Sequence, residues 1–275
     1  MEGNNLRLPE KIGIVSGGRK FPILCAKKAL ERGHKVYAIC HKGETLKELE
    51  DYCHQVKWIH LGQLGKIISF FKKNDVSTVI FAGTIKKTRL FVDIRPDLRA
   101  INLWRKMKGH LDDSILRNVA RELESEGIEV VSPTLLLEEL LFPAGILTKK
   151  KPNNHEMEDV KFGYEIAKKI GSLDIGQCIV VKDKVVLAVE AIEGTDETIK
   201  RGGALARSGA IVVKICKPGQ DTRFDLPAIG KDTIKTMSEV KASVLAVEAG
   251  KALFFDKEDA IKLADKKGIV ILGIE

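Results

Sequence analysis

The densest group of residues able to do chemistry is Lys217-Pro218-Gly219-Gln220-Asp221-Thr222-Arg223-Phe224-Asp225-Leu226-Pro227. It follows the apolar run Ala210 to Cys216, so it stands at the C-terminal end of a predicted strand, where open α/β sheets bind ligands. Pro218, Gly219 and Pro227 stiffen it. Lys217 and Arg223 offer charge to phosphate oxygens, and Asp221 and Asp225 offer oxygens to a divalent metal or to a water. The same composition suits a loop held by its own salt bridges. A second group runs from Val189 to Asp196. A predicted strand, Val185 to Ile192, delivers Glu190 into a turn of Glu193, Gly194 and Thr195. Helix capping accounts for Thr195 and Asp196 but not for Glu190. Alternation puts that acid on the face of Ala188 and Ile192, and a buried acid must be paired, protonated or metal-bound.

Ser16-Gly17-Gly18-Arg19-Lys20-Phe21-Pro22 joins a predicted strand to a predicted helix. Its backbone amides suit an anion, or it is a plain tight turn. It is neither G-x-G-x-x-G nor a P-loop. A dinucleotide reader wants an acid about 20 residues on, where this chain has His41 and Lys42. That counts against NAD. Asp112-Asp113 reads either as the first turn of a helix, where acids complement the dipole, or as part of a hard-metal site completed elsewhere. Two acids, two bases and a Gly-rich turn together suit phosphoryl chemistry, which needs positive charge on the non-bridging oxygens, a divalent ion and an oriented water. No serine triad is recognisable around Ser16 or Ser208, and Cys40-His41, Cys53-His54 and His60 fit no zinc spacing.

The elements that must position these groups alternate in type. Lys11–Val15, Lys35–Cys40, Val56–Leu61 and Val76–Ala82 are predicted strands, and Ile23–Arg32 and Gly62–Lys73 are predicted helices. This βαβ repetition predicts a parallel, Rossmann-like sheet. Helices Pro96–Lys108 and Asp112–Glu126, strand Ile128–Val131 and a short helix Pro133–Leu141 follow. The turn-rich stretch Gly145 to Asn154, with Lys149-Lys150-Lys151, reads as a linker or as lysines facing phosphate. It puts the domain boundary at 145/146. The second half predicts an α/β domain, with strands Gln177–Val181, Val185–Ile192, Ala210–Cys216, Ser243–Glu248 and Ile269–Ile274. Helices His155–Ile170, Asp196–Ser208, Asp232–Val240 and Lys257–Lys267 complete it.

The chain has 275 residues, 44 % hydrophobic and 31 % charged, which excludes global disorder. No run of 18 apolar residues predicts a transmembrane helix, and polar Met1–Lys11 predicts no secretory signal. The charge of +8 favours anionic partners, but no block of five like charges supports nucleic acid. Five cysteines without a C-x-x-C predict a reducing, cytoplasmic compartment.

In order and spacing, nearly the whole chain resembles the UDP-2,3-diacylglucosamine pyrophosphatases of the LpxI type, which act in lipid A synthesis. The resemblance rests on Gly17–Pro22, Leu61-Gly62-Gln63-Leu64-Gly65, Arg95-Pro96-Asp97-Leu98-Arg99 and Asp112–Arg117. It continues through Leu173-Asp174-Ile175-Gly176-Gln177, Ala188–Asp196, Lys217–Pro227 and Val247-Glu248-Ala249-Gly250. The family's usual Gly-x-Gly is Gly17-Gly18-Arg19 here. The resemblance implies Mg²⁺-dependent hydrolysis of the diphosphate to UMP and 2,3-diacylglucosamine 1-phosphate (lipid X), with water attack on the sugar-side phosphorus. It also implies a two-domain homodimer holding substrate between its domains, and an essential acid in the segment matching Lys217–Pro227. That role is carried to Asp225, with Asp221 second. Asp225, Asp221 and Glu190 are the expected metal ligands. Gly17, Gly18, Lys217, Gln220, Arg223 and Thr195 are the expected substrate contacts. The diacyl substrate adds an expectation of peripheral contact with the inner membrane surface, through Arg99, Arg105, Lys106 and Lys108 beside Leu103 and Trp104; an ordinary solvated helix face is the other reading. Two rival functions stay open: a UDP-sugar or lipid carrier, and a Rossmann-type oxidoreductase.

Overall fold

A computed structural model describes residues 8–85, 94–106 and 112–275, without the side chains of residues 112–114. The chain divides into two compact units, Met1–Glu138 and Glu139–Glu275. The predicted helix Pro133–Leu141 straddles that division and is instead two single 3-10 turns, Pro133–Leu135 and Glu138–Leu140. So short a segment does not hold a helix by propensity. Its apolar residues answer to tertiary packing: Leu136 and Leu137 are fully buried, while Phe142 stacks on Phe254 at 4.9 Å in the second unit.

In the first unit the order is β1 (Lys11–Ser16), α1 (Phe21–Glu31), β2 (Lys35–His41), β3 (Gln55–Ile59), α2 (Leu64–Lys73), β4 (Thr78–Ala82), α3 (Leu98–Lys106), α4 (Asp112–Ser125) and β5 (Glu129–Val131). Pro22 pre-sets the first turn of α1, and Gly33, at φ 83°, turns the chain away after it. The sheet runs β3-β2-β1-β4-β5, all parallel. β1 and β2 are buried at all but their first residues, as strands covered on both faces must be. The order reverses between β1 and β4, which makes the ends of those strands the topological switch point.

The second unit contains β6 (Gly145–Ile146), α5 (Asn154–Ser172), β7 (Cys178–Lys182), β8 (Val185–Val189), α6 (Thr195–Ala206), β9 (Ile211–Lys214), β10 (Ala228–Ile229), α7 (Lys231–Glu239), β11 (Val244–Glu248), β12 (Leu253–Phe254), α8 (Lys257–Lys267) and β13 (Val270–Ile274). Six strands pair in the order β6-β13-β11-β9-β7-β8, and β10 pairs with β12. Side-chain alternation splits the core in two. Cys178, Val180, Val212, Leu245 and Val247 face Ile199, Ile234 and Met237 of α6 and α7. Ile179, Val181, Val213, Val244 and Ala246 face Val160 and Ala167 of α5. Asn153 and Glu156 close a capping box on α5. Gly145–Ile146, read from sequence as linker, is an edge strand on β13.

Strand β8 ends at Val189, three residues short of the prediction. Its last ladder bond is the Glu190 amide to the Cys178 carbonyl, 2.8 Å. Beyond it the chain turns through Gly194, at φ 86°, into α6. Ile192 is therefore 99 % exposed, while Glu190 is buried as expected. β9 and β11 are parallel, and β8 runs with them because β7 between β8 and β9 is antiparallel to both. The topology thus brings Glu190, Lys214 to Lys217 and Glu248 to one edge of one sheet.

Candidate functional site

At that edge Glu248 is 3 % exposed and fully engaged. Lys168 Nζ, from α5, donates to both its oxygens at 2.7 and 2.6 Å, Lys251 Nζ donates at 2.8 Å, and the Cys216 amide at 2.9 Å. Burial pushes its carboxyl up, but the bonds from Lys168, Lys251 and Cys216 outweigh that and hold it below the usual range. Burial also raises the Cys216 thiol, with the Glu248 charge beside it adding to the effect.

From Cys216 the network runs into the loop predicted to carry chemistry. Gln220 Oε1 accepts from the Lys217 amide at 2.9 Å and from Cys216 Sγ at 3.4 Å. Its amide nitrogen is thereby turned outward and donates to Asp225 Oδ2 at 2.7 Å. Asp225 is exposed, and its Oδ1 accepts no hydrogen bond among the described residues. Asp221 is gripped at both oxygens by Arg223, at 2.9 and 2.8 Å. Lys217 Nζ reaches Asp174 at 2.6 Å. The two bases read from sequence as phosphate contacts are therefore ion-paired here, and one of the two acids is the partner of one of those bases. The salt-bridged-loop reading describes Asp221 and Arg223 well, and Asp225 stays outside it.

The second predicted group forms a buried chain of its own. Thr195 Oγ1 donates to Glu190 Oε1 at 2.9 Å and accepts from Lys214 Nζ at 2.8 Å. Lys214 is 4 % exposed and also donates to the Ala228 carbonyl at 3.0 Å. Glu190 Oε2 is buried with no hydrogen-bond partner among the described residues. Gly176 lets the Glu190 backbone lie where a side chain would stand: a Cβ there would overlap the Glu190 carbonyl oxygen. Sequence reasoning passed over Lys214, Lys168, Glu248 and Lys251 as bearers of chemistry. Lys214 carried the one available signal, a lysine closing an otherwise apolar strand.

In the first unit Gly17 and Gly18 lie at the switch point, but the expected amide cradle is closed by the chain itself. The Gly17 amide donates to the Ala82 carbonyl and the Gly18 amide to the Thr84 carbonyl, both at 2.7 Å. Gly17 serves close approach instead, since a Cβ would meet the Thr84 carbonyl oxygen at 2.8 Å. His41 is buried with Nδ1 2.8 Å from the Ser16 carbonyl, so Nδ1 carries the proton; burial lowers its pKa. On α3 Leu98 and Trp104 are exposed, but Arg99 is paired with Glu122 and Glu126 rather than presented as a free basic group. Lys108 and the side chains of Asp112 and Asp113 lie outside the described residues.

Two of the three acids proposed for a divalent cation suit one. Glu190 Oε2 and Asp225 Oδ1 are hard oxygens with no donor on them among the described residues. Asp221, doubly held by Arg223, does not suit one as it stands. Among the described residues these three do not gather their oxygens within 4.8 Å; His155, Asp159 and Asp183 do. Asp159 in that group accepts the amides of Asp183 and Lys184 at 2.8 and 2.7 Å, which is the work of a hairpin cap.

Comparisons with known proteins agree along the chain. The LpxI N-terminal domain family matches residues 11–140, and the LpxI C-terminal domain family matches residues 143–272. UDP-2,3-diacylglucosamine pyrophosphatase LpxI of Caulobacter vibrioides is 32 % identical over 96 % of this chain and 98 % of its own length. The bifunctional purine biosynthesis protein PurH of Bacillus subtilis is 30 % identical over 46 % of this chain and 22 % of its own. Among solved structures, the biotin carboxylase domain of the Hydrogenobacter thermophilus 2-oxoglutarate carboxylase covers 65 % of this chain and 36 % of its own. It does so at 14 % identity and a TM-score of 0.28, too slight a likeness to carry an argument. With both domain families matched in order and a full-length relative alongside, the chain belongs to the LpxI family.

Proposed function

We propose that this protein hydrolyses the diphosphate of UDP-2,3-diacylglucosamine to UMP and 2,3-diacylglucosamine 1-phosphate in lipid A synthesis, with Mg²⁺ as cofactor. The observation that carries the reading is the 32 % identity to the Caulobacter vibrioides enzyme over nearly the full length of both chains. The acids and lysines at one edge of the second sheet support it, since phosphoryl transfer needs both.

Asp225 orients the attacking water and takes its proton, held in place by Gln220. Oxygen from that water bonds to the sugar-side phosphorus as the bond to the bridging oxygen breaks, and UMP leaves with the bridging oxygen. Glu190 and Asp225 would hold Mg²⁺, joined by Asp221 once Arg223 lets it go; sites of this kind use one or two carboxylates and complete the shell with substrate phosphates. When bound, the ion supplies positive charge to the non-bridging oxygens. Lys217 exchanges its exposed partner Asp174 for phosphate at small cost, and Arg223 turns to phosphate once it releases the bidentate pair with Asp221. Thr195 and Gln220 fix the substrate-binding turns, and Gly17 and Gly18 shape the switch point of the first unit. The protein acts as a cytoplasmic homodimer that meets its diacyl substrate at the inner membrane surface.

The test is mass spectrometry of the products formed in ¹⁸O water, with Mg²⁺ or with EDTA. Wild type is expected to give UMP and labelled lipid X only with Mg²⁺. Asp225→Ala is expected to be slower by about 10²–10⁴-fold. Label in UMP would move the attack to the other phosphorus. Binding with intact substrate in every tube would overturn hydrolysis in favour of a carrier. No reduced or oxidised product is expected, and one would favour the oxidoreductase.

A further inference from the structure

Glu248 cannot itself serve a ligand. A carboxylate has about four lone-pair sites, and here four donor contacts fill them: two from Lys168, one from Lys251 and one from the Cys216 amide. Lys168 is similarly used up, since its third contact is the Cys216 carbonyl at 3.2 Å. Lys251 differs. Its ammonium has three donors, only one of them goes to a described protein group, and its side chain is 57 % exposed.

The fold places Lys251 deliberately. β11 ends at Glu248, the Ala249 amide ties back to Ile274 and the Gly250 amide to Phe142, each at 2.8 Å. Gly250, at φ 69°, then turns the chain so that Lys251 returns over Glu248. Two lysines and one carboxylate leave this cluster with one net positive charge. Lys168 is what keeps Glu248 from cancelling Lys251. The cluster is joined through Cys216 and Gln220 to Asp225. A cation with two open donors, held on Glu248 and joined through Cys216 and Gln220 to an acid with an open oxygen, suits a phosphate group and its attacking water.

We infer that Lys251 binds a phosphate of the diphosphate, with Glu248 as its positioning residue and Lys168 as the counter-charge that leaves the cluster positive. This rests on the proposed function and names residues that the sequence left without a role.

The test is calorimetric binding of inorganic pyrophosphate in EDTA, alongside steady-state kinetics on UDP-2,3-diacylglucosamine with Mg²⁺. Lys251→Gln is expected to weaken pyrophosphate binding about tenfold and to raise KM by a similar factor, with Lys251→Arg restoring most of both. Lys168→Met, which leaves the cluster neutral, is expected to weaken binding too. Glu248→Gln is the discriminating variant. It adds one positive charge, so bulk attraction alone predicts tighter binding, whereas loss of positioning predicts weaker binding. Tighter binding in Glu248→Gln, or unchanged binding and KM in Lys251→Gln, overturns the inference while leaving hydrolysis intact. Pyrophosphate binding that depends on Lys251 in a protein that does not cleave the substrate would sustain the clamp and sink the hydrolase. Lys251 is exposed, so its variants report even where Glu248→Gln fails to fold.

Discussion

At the scale of the residue, Glu248 and Glu190 show two ways a buried acid is tolerated. Glu248 has both oxygens filled by cationic and amide donors, whereas Glu190 keeps one oxygen bare. The first is a finished structural anion; the second is open to a ligand. The pairing of Glu248 makes a pH prediction whose sign is fixed. Its carboxyl lies below the ordinary value of 4.5 in the fold. Its contribution is therefore whole above about pH 4.5 and is lost as pH falls through the folded value. Glu248→Gln is expected to cost about 1–3 kcal/mol at neutral pH. The gap in unfolding free energy from wild type should stay constant between pH 7 and 5 and shrink below 4.5, as read from urea melts. A gap that shrank above pH 6 would contradict the pairing. The sequence foretold the burial of Glu190, but not which of the two acids is filled and which keeps an open oxygen. Glu190 stood out as a charge in an apolar run, but Val247-Glu248 followed by Ala-Gly reads as an ordinary strand end until Lys168, 80 positions away, is packed against it.

At the scale of the element, strand alternation sets Glu248 on the α5 face of β11, whereas backbone proximity places Glu190. Glu190 is one residue past β8, and it is held because Gly176 offers no side chain against it. Gly176→Ala is expected to force two backbone segments apart, costing about 1–3 kcal/mol and lowering kcat through displacement of Glu190. A denaturant midpoint and a turnover number matching wild type would show that the contact yields freely. The strands of the first unit and its helices α1 and α2 were legible because βαβ segments announce themselves by Pro22, Gly33 and apolar runs, whereas Pro133–Leu141 was not a helix. The short pairs β10 and β12 were not. Two residues each, Ala228–Ile229 and Leu253–Phe254, hold no period, and they pair only because the chain brings them together.

At the scale of the molecule, each unit has its own sheet, and no described helix is long and apolar enough to cross a membrane. The diacyl substrate of the proposed reaction is expected to be met at a membrane surface. Leu98 at 81 % and Trp104 at 53 % exposure, with Arg105 and Lys106 beside them, are the groups of α3 suited to it. Analytical ultracentrifugation is expected to give a dimer, and co-sedimentation with anionic vesicles should fall several-fold in Trp104→Ser. Equal co-sedimentation of the variant would remove α3 from the membrane reading. The sequence by itself determined the alternation of elements, the parallel sheet of the first unit, the family and the loop that carries Asp225, because these are written in local period, turn residues and motif order. Only the tertiary structure decided which charges are spent and which are open. It paired Arg223 with Asp221 and Lys217 with Asp174, closed the Gly17 and Gly18 amides on the carbonyls of Ala82 and Thr84, and set Lys168 and Lys251 on Glu248. Charge pairing is a matter of distance in space, and residues far apart in the chain carry no local pattern that foretells it.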